Sequence, residues 1–213
     1  MRLLTRHAIE TRLSASDHGR IFVDPILHPA QFGEVTLDLR LGTDFLVSLL
    51  TRRPSINAAI PPGGDGAERV RGAESYFRNT RREFGDTFTL YPGQIVLATS
   101  LEYLGLPADV YADILTRSSM NRLGITLNTM VQPGFRGCVP LELFNHGNNP
   151  VEVVVGARIV QARFFETDAV GNYQRIGSNR KYYGNVRPVV SGSQYDGELR
   201  RLSLIREAGQ VLN

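Results

Sequence analysis

A chain of 213 residues, 42% of them hydrophobic, supports one domain with a sizeable core and leaves little room for two. It holds no apolar run long enough to span a membrane or to act as a signal peptide, and its single cysteine, Cys138, excludes an internal disulfide framework and a cysteine-based zinc site. The net charge of +3 suits an anionic partner without choosing between nucleic acid, nucleotide and membrane headgroup, but the basic residues are scattered, so the signature of a nucleic-acid tail is missing. With no long apolar run, the expectation is a cytoplasmic protein with no nucleic-acid or membrane partner.

Thr5 to Leu13 reads as a short helix, with Thr5 as N-cap and Ile9 and Leu13 four apart on one side. Strands are predicted at 21–23 and over the alternating 35–41, with a turn-rich segment from Asp24 to Gly33 between them. The stretch 52–86 carries Pro54, Pro61-Pro62 and several glycines, and reads as a long loop or insertion. The turn Leu90-Tyr91-Pro92-Gly93-Gln94 then leads to strands at 95–99, 110–115, 139–144, 151–155 and 158–165. Leu199, Leu202 and Ile205 give 198–207 a helical spacing within a C-terminal extension over 186–213. Many short strands punctuated by Gly, Pro and Asn predict a mainly β barrel or sandwich, with one short N-terminal helix and a C-terminal one.

Three polar clusters carry potential chemistry. Thr116 to Gly124 follows a strand and brings Arg117, Ser118, Ser119 and Arg122 together, and guanidinium forks and hydroxyls match phosphate oxygens. Gln132 to Asn145 places Glu142 inside an apolar run, where a buried carboxylate needs a cation, for which Arg117 and Arg122 are candidates, or acquires a raised pKa. At a sheet edge the same residue would simply face water. Tyr173 and Lys181 to Asn185 form a tail whose ammonium and rings suit phosphate and base or sugar, and Lys181 is the only lysine of the chain.

With these clusters in order, the chain resembles the dCTP deaminase family of the dUTPase superfamily, whose members are trimeric with a β-barrel or distorted jelly-roll fold. The resemblance rests on Gly33 to Gly42, Tyr91-Pro92-Gly93, Arg117 to Gly124, Pro133 to Gly137 with Leu141-Glu142, Gln161, Tyr173 and Lys181-Tyr182. It implies that a single domain over 1–213 hydrolytically deaminates dCTP to dUTP and ammonia in the supply of dTTP precursors. Glu142 would relay protons from the attacking water, with Arg122 and Ser118 holding it and the water. Arg117, Ser119, Lys181 and Tyr173 would bind triphosphate and sugar, with Gln132, Pro140, Leu141, Gln161 and Asn185 also lining the site. The resemblance further implies Mg²⁺ only as companion of the triphosphate, no zinc or other protein-bound metal, a homotrimer with sites between subunits, and dUTP or dTTP as further nucleotide ligands.

Two departures bear on activity. The family's Asp before Pro-Gly, which in its pyrophosphatase branch positions the attacking water, is Gln132 here, and an amide can hydrogen-bond a hydroxyl but cannot act as a base. The hairpin 123–131 is a few residues shorter than the family's. Pro140 lacks a backbone donor, and Asn185 stands where Gln is usual. A dUTP diphosphatase, alone or combined with deamination, and a non-catalytic nucleotide-binding paralogue are the alternatives.

Overall fold

The computed structural model describes residues 1–49, 76–168 and 181–193, together with Glu198, Leu202 and Ile205. In chain order the elements are β1 (Arg2–Leu3), α1 (Arg6–Ser14), β2 (Phe22–Asp24), a 3-10 turn (Pro29–Gln31), β3 (Leu37–Arg40), β4 (Asp44–Ser48) and β5 (Phe77–Arg81). They continue as β6 (Thr87–Leu90), β7 (Ile95–Gly105), β8 (Val110–Thr116), α2 (Ser118–Asn121), β9 (Ile125–Thr126), β10 (Asn128–Val131), β11 (Arg136–Asn145), β12 (Val151–Val154) and β13 (Arg158–Glu166). The chain divides into two compact units, Met1–Val47 with Asn79–Val189, and Ser48–Arg78 with Val190–Asn213. Every described site residue belongs to the first.

Two antiparallel sheets make that unit. One has the order β1-β13-β8-β10 with β3 also on β13, the other β5-β4-β7-β11-β9 with β2 also on β7, and β12 pairs with β6 apart from both. Strict alternation drives the arrangement: β8 turns Val110, Ala112 and Ile114 inward and Tyr111, Asp113 and Leu115 outward. Inward residues of both sheets, among them Ile114, Ala162 and Phe164 from one and Ala98, Val139, Leu141 and Leu143 from the other, join a single core. Full burial of a side chain such as Phe164 is worth about 1.5–3 kcal/mol. The result is the mainly β, jelly-roll-like sandwich that the strand pattern predicts.

Helix α1 begins as expected, with the Thr5 hydroxyl accepting a hydrogen bond from the Ala8 N–H. Ile9 is its buried residue, and Arg12 ties the helix to the sheet through Asp109 at 2.8 Å and Glu166 at 2.7 Å. Of the segment 52–86 the structure describes only 76–86, and there the expected loop gives way to β5, which flanks β4. The polar sequence Phe77-Arg78-Asn79-Thr80-Arg81 is largely solvent-facing, as befits an edge strand, and so lacks the apolar alternation that betrays a strand. In the C-terminal extension Glu198, Leu202 and Ile205 are helical and exposed, while Leu199 lies outside the described residues.

Between β7 and β11 the register shifts: Cys138 faces Tyr103, whereas Pro140 faces Thr99. Ser100, Leu101 and Glu102 therefore stand opposite Val139 alone, and the Ser100 hydroxyl restores order by accepting from the Val139 N–H at 2.8 Å and donating to the Glu102 carbonyl at 2.6 Å. Pro140, which cannot donate to a ladder, sits at this irregularity. Cys138 is buried beside it, and burial together with the nearby Glu102 pushes its thiol up to about 11.

Candidate active site

Arg117 leaves the end of β8 and folds back over the sheet. Its Nε meets the Asp38 carboxylate at 3.2 Å, Arg158 reaches the same oxygen at 3.4 Å, and Arg117 also donates to the Arg158 carbonyl at 3.1 Å. Asp38 lies opposite Gln161 in the β3–β13 ladder, and Gln161 lies opposite Leu115 in β8, so these side chains share the face turned away from the core. Burial raises the Asp38 carboxyl, opposed by Arg117, Arg158 and Arg40. The outcome is a cationic corner anchored on one nearly buried acid. Its Arg117 and Gln161 follow from the sequence; Asp38 and Arg158 do not, because only the pairing of β3 with β13 brings them together.

Beyond Arg117, Ser118 and Ser119 are exposed on α2, which the Thr116 hydroxyl steadies by bonding the Asn121 side chain. Arg122 follows, and lines an open cleft of about 590 Å³ that continues over the 147–152 turn to Glu152. The next residues are fixed by close backbone approach. Gly124 has φ +86°, and a Cβ there would lie 2.7 Å from the Gly147 nitrogen, while the His146 N–H donates to the Gly124 carbonyl at 2.8 Å.

Of the alternatives the sequence leaves open for Glu142, the chain realises an outward-facing carboxylate with a raised pKa, not one buried beside a cation. Along β11 the odd-numbered residues Val139, Leu141, Leu143 and Asn145 point inward and Glu142 points outward, so a carboxylate in an apolar run is not a buried one when the period is two. Neither expected cation reaches it within the chain. Arg117 is committed to Asp38, and among the described residues neither Glu142 nor Arg122 has a side-chain hydrogen bond or ion pair. Its solvent exposure is that of a surface residue, yet the desolvation its neighbours impose raises its carboxyl above the usual range. Pro140 is half-buried on the same outward side, and Leu141 is buried beneath.

The remaining predicted residues lie elsewhere. Gln132 opens a turn in which its carbonyl accepts from the Phe135 N–H at 3.1 Å, with Pro133 and a left-handed Gly134 at φ +79° between them, a type II pattern. It follows Val131, whose ladder partner is Ala112, and so sits near the opposite end of β8 from Arg117, roughly 20 Å away at about 3.3 Å per residue. Lys181 to Asn185 approaches this second region: Gly184 donates to the Arg136 carbonyl at 2.7 Å and Cys138 donates to the Asn185 carbonyl at 2.9 Å. The Asn185 amide also donates back to the Lys181 carbonyl at 3.3 Å. Tyr173 lies outside the described residues.

Residues 3–167 match the dCTP deaminase-like domain family. The chain belongs to that family. A Methanobrevibacter smithii protein named dCTP deaminase, dUMP-forming, is 33% identical over 190 residues, which is 87% of this chain and 93% of that protein. A Natronomonas pharaonis protein named dCTP deaminase is 34% identical over 188 residues, covering 85% and 91% of the two. The solved structure of 2'-deoxycytidine 5'-triphosphate deaminase from Agrobacterium tumefaciens shares the fold, with a TM-score of 0.55 at 23% identity over 76% of this chain. The match takes in 47% of that longer chain. No helix among the described residues is long and apolar enough to cross a membrane.

Proposed function

We propose that this protein is a cytoplasmic hydrolase that deaminates a cytosine deoxynucleotide, dCTP with its Mg²⁺, to dUTP and ammonia, and that its sites form between the subunits of a homotrimer. The observation that carries the reading is Glu142: a carboxylate on an outward strand face, without a side-chain partner among the described residues and with a raised pKa, within a chain of this family. As carboxylate it takes a proton from water while the water oxygen bonds to C4 of the base. Returning protons to ring and amine lets the C–N bond break, so that ammonia leaves and a carbonyl remains. Such proton relay is commonly worth about 10²–10⁴-fold.

Arg117, Ser119 and Lys181 bind the triphosphate, Arg122 and Ser118 orient Glu142 and the water, and Gln132, Pro140, Leu141, Gln161, Tyr173 and Asn185 line sugar and base. Simple geometry supports the participation of a second copy. Gln132 and Arg117 are roughly 20 Å apart in one chain, whereas a pocket of several hundred Å³ is only about 10 Å across. The name of the Methanobrevibacter relative favours a second reading, in which the product is dUMP and pyrophosphate is also released. Gln132 weighs against it, since an amide cannot serve as the base for water attack on phosphorus.

The test incubates the protein and Mg²⁺ with dCTP, CTP, dUTP and dCMP in parallel and follows ammonia and pyrophosphate separately. Ammonia from dCTP without pyrophosphate is expected. Pyrophosphate in step with ammonia would establish the second reading, and no product from any nucleotide would remove both.

A further inference from the structure

Glu102 is fully buried, carries no ion pair among the described residues, and lies outside the chemistry assigned above. Its surroundings say what it does. One carboxylate oxygen accepts from the backbone N–H of Arg40 at 2.8 Å, the other from the side-chain amide of Gln31 at 3.0 Å. The same amide donates to the Asp38 carbonyl at 3.1 Å, and the Gln31 side-chain oxygen accepts from the N–H groups of Leu27 and His28 at 2.9 and 3.2 Å.

Asp38 and Arg40 are two apart in β3, so the Asp38 C=O and the Arg40 N–H emerge on one edge, the edge opposite the ladder to β13. A neighbouring strand would ordinarily pair both. Here the extra residues of β7 hold the strands off, and Glu102 and Gln31 take the place of the missing ladder. The Pro29–Gln31 turn touches the cationic corner a second time, because Arg158 donates to the Ala30 carbonyl.

We propose that Glu102 and Gln31 are a positioning pair for the Asp38–Arg117–Arg158 corner, fixing the strand edge from which Asp38 holds both arginines and so setting the affinity of the protein for the phosphates of its substrate. The inference rests on the reading of Arg117 as a phosphate ligand. Charge and acceptor count decide why Glu is needed at 102: a carboxylate accepts from two donors at once, whereas an amide in its place would turn an NH₂ toward either the Arg40 N–H or the Gln31 amide. Neither residue of the pair touches the nucleotide.

The test compares Glu102→Gln and Gln31→Met with Arg117→Ala, measuring kcat and KM for dCTP, inhibition by inorganic tripolyphosphate, melting temperature and oligomeric size. Both positioning variants are expected to raise KM about tenfold and to weaken tripolyphosphate inhibition in proportion, with kcat within about twofold, the scale of one misaligned charge-assisted hydrogen bond. A lowered melting temperature with KM and tripolyphosphate inhibition unchanged would make the pair merely structural and overturn the proposal. If Arg117→Ala raises KM and the positioning variants do not, this inference alone fails; if Arg117→Ala also leaves KM unchanged, the phosphate reading beneath it fails. Should Glu102→Gln not fold, Gln31→Met decides by the same criteria.

Discussion

The Asp38–Arg117–Arg158 corner and Glu142 both stand on outward faces of antiparallel sheets, and the chain treats them in opposite ways. At the corner, opposite charges meet within 3.4 Å and the strand edge beneath them is held by buried side chains. Glu142 has no such company among the described residues, although its surroundings raise its carboxyl. On the proposed reading, the contrast teaches where each half of the chemistry is decided. The Arg117 side of the proposed phosphate site needs a fixed cationic shape, which folding of one chain builds. Proton relay needs a carboxylate left free to titrate, and a salt bridge inside the chain would hold its pKa down.

Glu142→Gln breaks the comparison most severely. Ammonia release from dCTP should fall by about 10²–10⁴-fold while nucleotide binding, followed by titration calorimetry, is retained. Undiminished turnover would remove the proton-relay role. On the other side, Lys181→Ala should weaken binding more for dCTP than for dCMP, by about tenfold for the triphosphate, since an ammonium bonds phosphate oxygens through charge-assisted hydrogen bonds. Equal weakening for both nucleotides would detach Lys181 from the phosphates.

A pH profile sharpens the contrast. In the proposed relay Glu142 acts as a base in its ionised form, and burial raises its carboxyl, so activity should disappear with acid through an inflection above the ordinary glutamate value of 4.5. An inflection at or below that value would mean that Arg122 of another copy outweighs burial once the site is assembled, and a profile flat through this range would remove the base role. The smallest effect belongs to the scaffold. The Arg12 hydrogen bond holds the Glu166 carboxyl below its ordinary value, a contribution present above the unfolded pKa and lost as pH falls through the folded one. Arg12→Met should therefore lower stability near neutral pH by about 0.5–1 kcal/mol and by less in acid, read from urea unfolding at several pH values. A destabilisation that does not change with pH would mean that Arg12 acts through packing alone.

These expectations separate what the sequence discloses from what only folding decides. Strands β7, β8, β11 and β13 are legible because their inward residues alternate, and the Thr5 cap marks α1. The edge strand β5 is not, since exposed polar residues erase the alternation. At the site, Arg117 is legible from its polar cluster and Gln161 only through the family resemblance. Asp38, Arg158 and Gln31 depend on the pairing of strands distant in sequence, and Glu102 looks like any residue in an apolar strand until the register shift opposite Val139 turns it toward β3. Within one chain neither Arg122 nor Arg117 pairs with Glu142, since Arg117 is held by Asp38; the sequence alone does not say whether such a pair forms inside a chain or between copies.

The central claim is that Glu142 of one copy works with Arg122 of another. It is tested by mixing two inactive variants, Glu142→Gln and Arg122→Ala, unfolding and refolding them together, and measuring ammonia release from dCTP. Random assembly of a cyclic homotrimer should leave about one site in four with both groups intact, restoring about a quarter of the native rate. A mixture as inactive as either variant alone, in oligomers shown to contain both chains, would place Glu142 and Arg122 in the same subunit's site and contradict the account.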